Sequence, residues 1–136
     1  MIRIDSQTLG TLIGLLRKDG FRVLGPTVRS DAVVYDEIHS FEDLPIGWRD
    51  EQTNASYKLH HSTDKSVFGY VVGPHSWKQF LFPSECPLVR SHRSNGSMEL
   101  RGAQEPLPTP LAFFGVRPCE LHAIAIQDRV FLEGPF

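Results

Sequence analysis

Leu111-Ala112-Phe113-Phe114-Gly115-Val116-Arg117-Pro118-Cys119-Glu120-Leu121-His122 is the stretch whose reading decides the fold. Its first six residues form a continuous apolar run bounded by Pro110, the pattern of a buried strand. Pro118 suits the first position of a helix, where the missing N–H would find no intrahelical partner anyway. Leu121, Ile124, Ala125 and Asp128 continue at helical spacing. The stretch therefore reads as a strand running directly into a helix. Cys119 falls in that helix's first turn, where unpaired N–H groups and the helix dipole favour negative charge. A thiol so placed ionises more readily, and a side chain from Arg117 turned back towards it adds to the effect. In open α/β sheets, ligands bind in the crevice outside the carboxyl ends of the strands. The alternative is a buried, inert cysteine.

Upstream, Leu9, Leu12, Ile13 and Leu16 share one face and predict a helix from Ser6 to Lys18. Asp5 or Ser6 caps its start, and Gly20 stands where a left-handed residue is wanted. Gly10 and Gly14 weaken this helix by up to about 1 kcal/mol each relative to Ala, unless they permit a close backbone approach. Phe21 to Val28 and Ala32 to Ile38 flank Arg29-Ser30-Asp31 and read as a hairpin, bent or at a sheet edge because of Gly25-Pro26. Phe41 to Asn54 reads as a loop, with Trp48 anchoring it to the core. Tyr57 to His61 and Val67 to Val72, joined through Ser62-Thr63-Asp64-Lys65, suggest a second hairpin that Gly73-Pro74 ends. Trp77, Phe80 and Leu81 share the face of a short helical turn stopped before Pro83. A third hairpin pairs Leu88 to Ser91 with Met98 to Arg101 around Asn95-Gly96. Pro106, Pro108 and Pro110 mark a stiff connection. The expected fold is α/β in one domain over 1–136: a mixed sheet with several β-hairpins, an N-terminal helix and a C-terminal strand–helix unit.

Composition narrows the function classes. The 136 residues are 40% hydrophobic and 22% charged, the balance of a folded soluble chain. Fourteen basic against 16 acidic residues leave a net charge of −2, without the basic excess of a nucleic-acid binder. No apolar run reaches the roughly 18 residues that span a bilayer, and Met1-Ile2-Arg3-Ile4-Asp5 does not open a signal peptide, so the cytoplasm is expected. Two cysteines, Cys86 and Cys119, are too few for a disulfide framework and are expected to be thiols. Ten Arg against four Lys favour fixed, bidentate contacts.

Other candidate chemistry is thin. His122, three residues after Cys119, can face the same side. The pair is half a zinc site, or a nucleophile and base without a third group to orient the imidazole. His60, His61, His75, His92 and Cys86 show no ligand spacing. Gly69, Gly73 and Gly115 form no phosphate-cradling pattern. The carboxylates of Asp36, Glu37, Glu42 and Asp43 fit a solvated hairpin rim. No C-x-x-C-x-x-C run is present, so the chain does not by itself supply the four thiolates of an ordinary iron–sulfur cluster.

Several strings in order carry a resemblance: Gly25-Pro26-Thr27-Val28, Val34-Tyr35-Asp36-Glu37-Ile38, Asp43-Leu44-Pro45-Ile46-Gly47-Trp48, Phe68-Gly69-Tyr70-Val71-Val72-Gly73-Pro74 and Lys78-Gln79-Phe80-Leu81-Phe82-Pro83. Phe114-Gly115-Val116-Arg117-Pro118-Cys119-Glu120-Leu121-His122-Ala123-Ile124 and Asp128-Arg129-Val130-Phe131 complete the set. With these strings the chain resembles the N-terminal region of the iron–sulfur β subunit of cytoplasmic sulfhydrogenases and the related A subunit of anaerobic sulfite reductase. The likeness spans nearly all of the sequence, least distinctively over Ser91 to Pro110. Members of that family are longer, and their C-terminal half carries ferredoxin-type cysteine clusters holding 4Fe-4S centres. These pass electrons between a catalytic subunit and a flavin subunit or ferredoxin. The resemblance implies an N-terminal scaffold that lacks the ferredoxin-like half, ending at Glu133-Gly134-Pro135-Phe136, with no turnover by itself and no cofactor of its own. It also implies that Cys119, with Arg117 and Pro118, lies beside or ligates a cluster completed elsewhere. Partners are the other subunits of a redox complex, with neither nucleic acid nor membrane insertion. The rival expectations are a thiol enzyme with Cys119 as nucleophile and His122 as base, and a purely structural interaction domain.

Overall fold

Asp5 opens the first helix, α1 (Ser6–Lys18), by accepting the Thr8 N–H at 2.7 Å. Those amide bonds hold its carboxyl below the usual carboxylate range. The helix closes at Gly20, whose φ of +88° is a left-handed value that favours glycine. Gly20 donates to the Arg17 carbonyl and Phe21 to the Leu16 carbonyl, both at 3.0 Å, so two otherwise unpaired carbonyls are satisfied. The helix spans the predicted residues. Ile13 is buried and Leu9 and Leu16 are half-buried, while Leu12, expected on the same face, is exposed. Gly10 meets Phe41 closely, its added Cβ lying 3.4 Å from the Phe41 Cβ, whereas Gly14 borders open space.

The computed structural model describes residues 5–73, 75–82, 85, 88–94, 96–102 and 109–134. After α1 come β1 (Arg22–Arg29), β2 (Ala32–Glu37), a 3-10 turn (Phe41–Asp43), β3 (Trp48–Thr53) and β4 (Ser56–His61). Then follow α2 (Lys78–Leu81), β5 (Val89–Ser94), β6 (Ser97–Gly102), β7 (Leu111–Phe113) and α3 (Pro118–Leu132). Three sheets form. The first has the order β2-β1-β7, with β1–β2 antiparallel and β1–β7 parallel, and β3–β4 and β5–β6 are separate two-stranded antiparallel sheets. The fold is thus mixed α/β, as expected, with the predicted strand–helix unit closing the chain.

The first hairpin turns through Ser30 and Asp31, both with positive φ (47° and 58°), the geometry that matches strand twist in a two-residue loop. Pro26 sits inside β1 at no cost to the ladder. Arg22 donates to the Pro110 carbonyl and the Leu24 carbonyl accepts from Phe114, so even-numbered residues turn their polar groups towards β7. That strand accompanies β1 only over Arg22–Leu24, and beyond it Pro26 lacks an N–H where none is needed. At Gly25 an added Cβ would lie 2.6 Å from the Ile38 Cδ1, so the buried Ile38 side chain would have to shift to admit it.

Three sequence expectations are corrected. Phe41 to Asn54 is not a loop: it carries the 3-10 turn and β3. The second hairpin pairs Tyr57 to His61 with β3 and not with Val67 to Val72, which form no strand. The physical reason lies in side chains that take the place of a ladder. Val71 N donates to the Asp50 Oδ1 at 2.6 Å, and the Tyr57 hydroxyl donates to the Val71 carbonyl at 3.3 Å. With the Val71 N–H and C=O satisfied this way, the 67–72 segment bends at Val67, Phe68 and Tyr70 and joins no sheet. Finally, the apolar run 111–116 is strand only through Phe113 and is half-buried, because Gly115 turns at φ +75° towards α3.

Trp48 lies in β3, half-buried, with its ring 4.6 Å from that of His61. Strands β5 and β6 extend the third predicted hairpin, with Gly96 at φ +83° in its turn. Asn95, Pro74, Pro83, Cys86, Pro106 and Pro108 lie outside the described residues.

Two apolar clusters hold the frame. Ile13, Val23, Ile38 and Leu44 form one, between α1, β1 and the segment after β2. Leu24, Tyr35 and Trp77 form the other, with Phe113, Val116, Phe80 and Ile124 packed around them. Trp77 is 2% exposed and stacks on Tyr35 with ring centroids 3.9 Å apart, against Phe113 at 4.7 Å. Burial of this order for large aromatic rings dominates a small core. Among the described residues no helix is long and apolar enough to cross a membrane.

Candidate functional site

The corner between β7 and α3 is set by Pro118. Its ring disfavours helical geometry in the residue before it, and Arg117 accordingly has extended angles (φ −82°, ψ 155°). Arg117 is the N-cap, and its backbone N–H donates to the Glu120 Oε2 at 2.8 Å, so the third helical residue reaches back to satisfy the corner. The other carboxyl oxygen of Glu120 accepts from the Tyr35 hydroxyl. Burial, then the hydrogen bond to Glu120 and that carboxylate's charge, push the Tyr35 phenol far above its usual range.

This Tyr35–Glu120 bond also decides which face of α3 is covered. Glu120, Ile124 and Gln127 are half-buried, whereas Leu121, Ala125 and Asp128 are exposed. Of the predicted face only Ile124 packs inward, because the helix is rotated to bring Glu120 to Tyr35.

Arg117 reaches the other way. Its guanidinium donates to the Tyr70 carbonyl at 3.0 Å, and it makes no ion pair among the described residues. Between these groups opens a cleft of about 360 Å³, lined by Pro26, Phe68, Tyr70, Val72, Gly115, Val116, Arg117 and Pro118. It lies off the carboxyl end of β7, where ligand crevices occur in α/β sheets. Gly115 is needed there twice over. Its positive φ suits glycine, and an added Cβ would come within 3.1 Å of the Phe68 ring.

Arg117 and Pro118 line the cleft. Cys119 is exposed in the first turn of α3 and is one residue past the lining. Its thiol makes no hydrogen bond among the described residues, with His122 or any other group. The exposed thiol removes the buried, inert reading of this cysteine. Missing from the sequence reading were Tyr35, Tyr70, Phe68, Pro26 and Glu120. For Glu120 the signal was present, a carboxylate at the third position of a Pro-started helix. The others come from separate elements and meet only in the folded chain.

No group of three or more His, Cys, Asp or Glu side chains able to hold a metal ion occurs among the described residues. Among the described residues Cys119 supplies one thiolate towards the four that an ordinary iron–sulfur cluster takes. No protein-family model, curated protein or solved structure matches this chain.

Proposed function

We propose that this chain is the N-terminal scaffold of an electron-transfer iron–sulfur subunit in a cytoplasmic hydrogenase- or sulfite-reductase-type complex. The observation that carries the reading is the exposed Cys119 thiol at the positive end of a 15-residue helix, beside a cleft walled by Arg117 and Pro118. A thiol in that setting is available to a group brought by another polypeptide segment. A 4Fe-4S centre, where bound, supplies one-electron transfer. Arg117 and Pro118 fix the corner against which it would rest. The resemblance of the Arg117-Pro118-Cys119-Glu120-Leu121 string to the iron–sulfur subunits supports the same assignment. Docking of a partner subunit is supported by α3, which leaves Cys119, Ala123, Ile126 and Val130 exposed at helical spacing along one side.

The test uses the full-length subunit purified without oxygen, with and without Cys119→Ser. The reading expects a changed cluster, seen as lost iron or an altered electron paramagnetic resonance signal, and slower electron delivery to the partner. An unchanged spectrum together with an unchanged rate would overturn it and leave a structural role for this domain.

A further inference from the structure

The cleft has a chemistry of its own that does not depend on electron transfer. At about 360 Å³ it is near the lower bound of small-molecule sites, which run from roughly 300 to 1,000 Å³. Its walls are largely apolar, with the rings of Pro26, Phe68 and Pro118 among them. Two polar groups break that surface, and both are underused. Arg117 is half-buried with no carboxylate paired to it among the described residues, and its guanidinium, with five N–H donors, makes one hydrogen bond there, to the Tyr70 carbonyl. Tyr70 is 8% exposed, yet its hydroxyl finds no hydrogen-bond partner among the described residues. That hydroxyl keeps some solvent access where Tyr70 lines the cleft, so it can donate to a group that enters.

Together these features define a ligand. We infer that the cleft binds a compact aromatic acid, with its ring against Pro26, Phe68 and Pro118 and its carboxylate held by Arg117 and the Tyr70 hydroxyl. Guanidinium and carboxylate match in shape and charge, and the first turn of α3 adds its dipole in the same sense. A single guanidinium and one hydroxyl among apolar walls suit one carboxylate carried on a ring. Burial keeps the Tyr70 phenol protonated through the neutral range, so it is present as a donor. Glu120 is the opposing charge. Its two oxygens are already engaged by Tyr35 and the Arg117 N–H, which limits but does not remove its repulsion of an incoming anion.

Fluorine NMR titration of the purified chain with 4-fluorobenzoate, and separately with the neutral 4-fluorobenzamide, tests this directly. The acid is expected to bind saturably with a dissociation constant of about 1 mM or tighter, a normal affinity for so few atoms. The amide should bind at least about five-fold more weakly, since it loses the charge-assisted bond. Arg117→Gln should weaken the acid by a similar factor and Tyr70→Phe by about two- to five-fold, with circular dichroism verifying the fold of each. Absence of saturable binding, or equal binding of acid and amide by the unmodified chain, would overturn the assignment without any variant having to fold.

Discussion

Two antiparallel hairpins in this molecule have opposite surroundings. In β1–β2 every strand has a second layer: Leu24 is fully buried, Tyr35 stacks on Trp77, and β7 extends the sheet on one side. In β5–β6 the register puts Val89, Met98 and Leu100 on one face, and all three are exposed, Leu100 by 67%. None of its apolar side chains belongs to either core cluster. The same local signals, alternating residues around a tight turn, thus produce a structural core in one place and an uncovered ribbon in another. A two-stranded ribbon without a packed face is marginally stable in water. Turn chemistry sets where a chain reverses, and burial sets how much the reversal is worth.

The sharpest way to break this contrast is a pair of matched truncations. Leu24→Ala should cost about 3–4 kcal/mol in urea unfolding, as expected for a fully buried leucine. Leu100→Ala should cost less than about 0.5 kcal/mol, the usual range for exposed positions. Equal costs would mean that the β5–β6 face is packed against something in solution.

A smaller effect probes how the first sheet is tied to α3. Tyr35→Phe removes the hydroxyl that Glu120 accepts and should cost about 1–2 kcal/mol at neutral pH. It should also change the alkaline limb. A phenol whose pKa is raised by folding contributes stability that is complete below the unfolded value of 10.0 and is lost as pH rises towards the folded value. Tyr70 contributes in the same direction. The unmodified chain should therefore lose stability above pH 10.0, and Tyr35→Phe should flatten part of that loss. An identical alkaline profile in the two proteins would show that Tyr35 is not coupled to folding.

The smallest effect lies in the corner after β2. Asp43 Oδ2 accepts from the His39 N–H at 2.7 Å and from Ser40 N–H at 3.0 Å, which holds its carboxyl below the ordinary value despite some opposing burial. A depressed carboxylate contributes stability above its unfolded pKa and loses it as pH falls through the folded one. Asp43→Asn should cost about 0.5–1 kcal/mol at pH 7, as for loss of a helix cap, and the gap should close under acid. A gap that stays constant down to pH 2 would refute the charge-based account.

Where the sequence reading succeeded, the signal was local. The ends of α1 were legible in Asp5 and Gly20, and the start of α3 in Pro118, because capping depends on residues within one turn of each other. Where it failed, either the strand had no apolar pattern, as in β3, or the deciding partner lay further along the chain. Arg49-Asp50-Glu51-Gln52 carries no apolar alternation, so nothing in it announces β3. The strand is made by pairing with β4 and by Asp50 reaching Val71. Val67 to Val72 has strand-like composition but is held by the side chains of Asp50 and Tyr57, a contact across 21 and 14 residues. The candidate site divides in the same way. Arg117, Pro118 and Cys119 stand next to each other in the chain, whereas Tyr70, Phe68 and Pro26 join them only after folding.

By itself, then, the amino-acid order determined the helices with their caps, the turns of the first and third hairpins and the strand-to-helix corner. Those depend on backbone conformation and on residues close in sequence. Tertiary structure alone decided which face of α3 is covered, which strand β4 pairs with, and that the half-buried Arg117 and the buried Tyr70 share one cleft. The α3 face and the cleft depend on groups dozens of residues apart, which no local pattern encodes, whereas the β3–β4 pair closes through the short Asn54-Ala55 turn, with Ala55 at φ 65°.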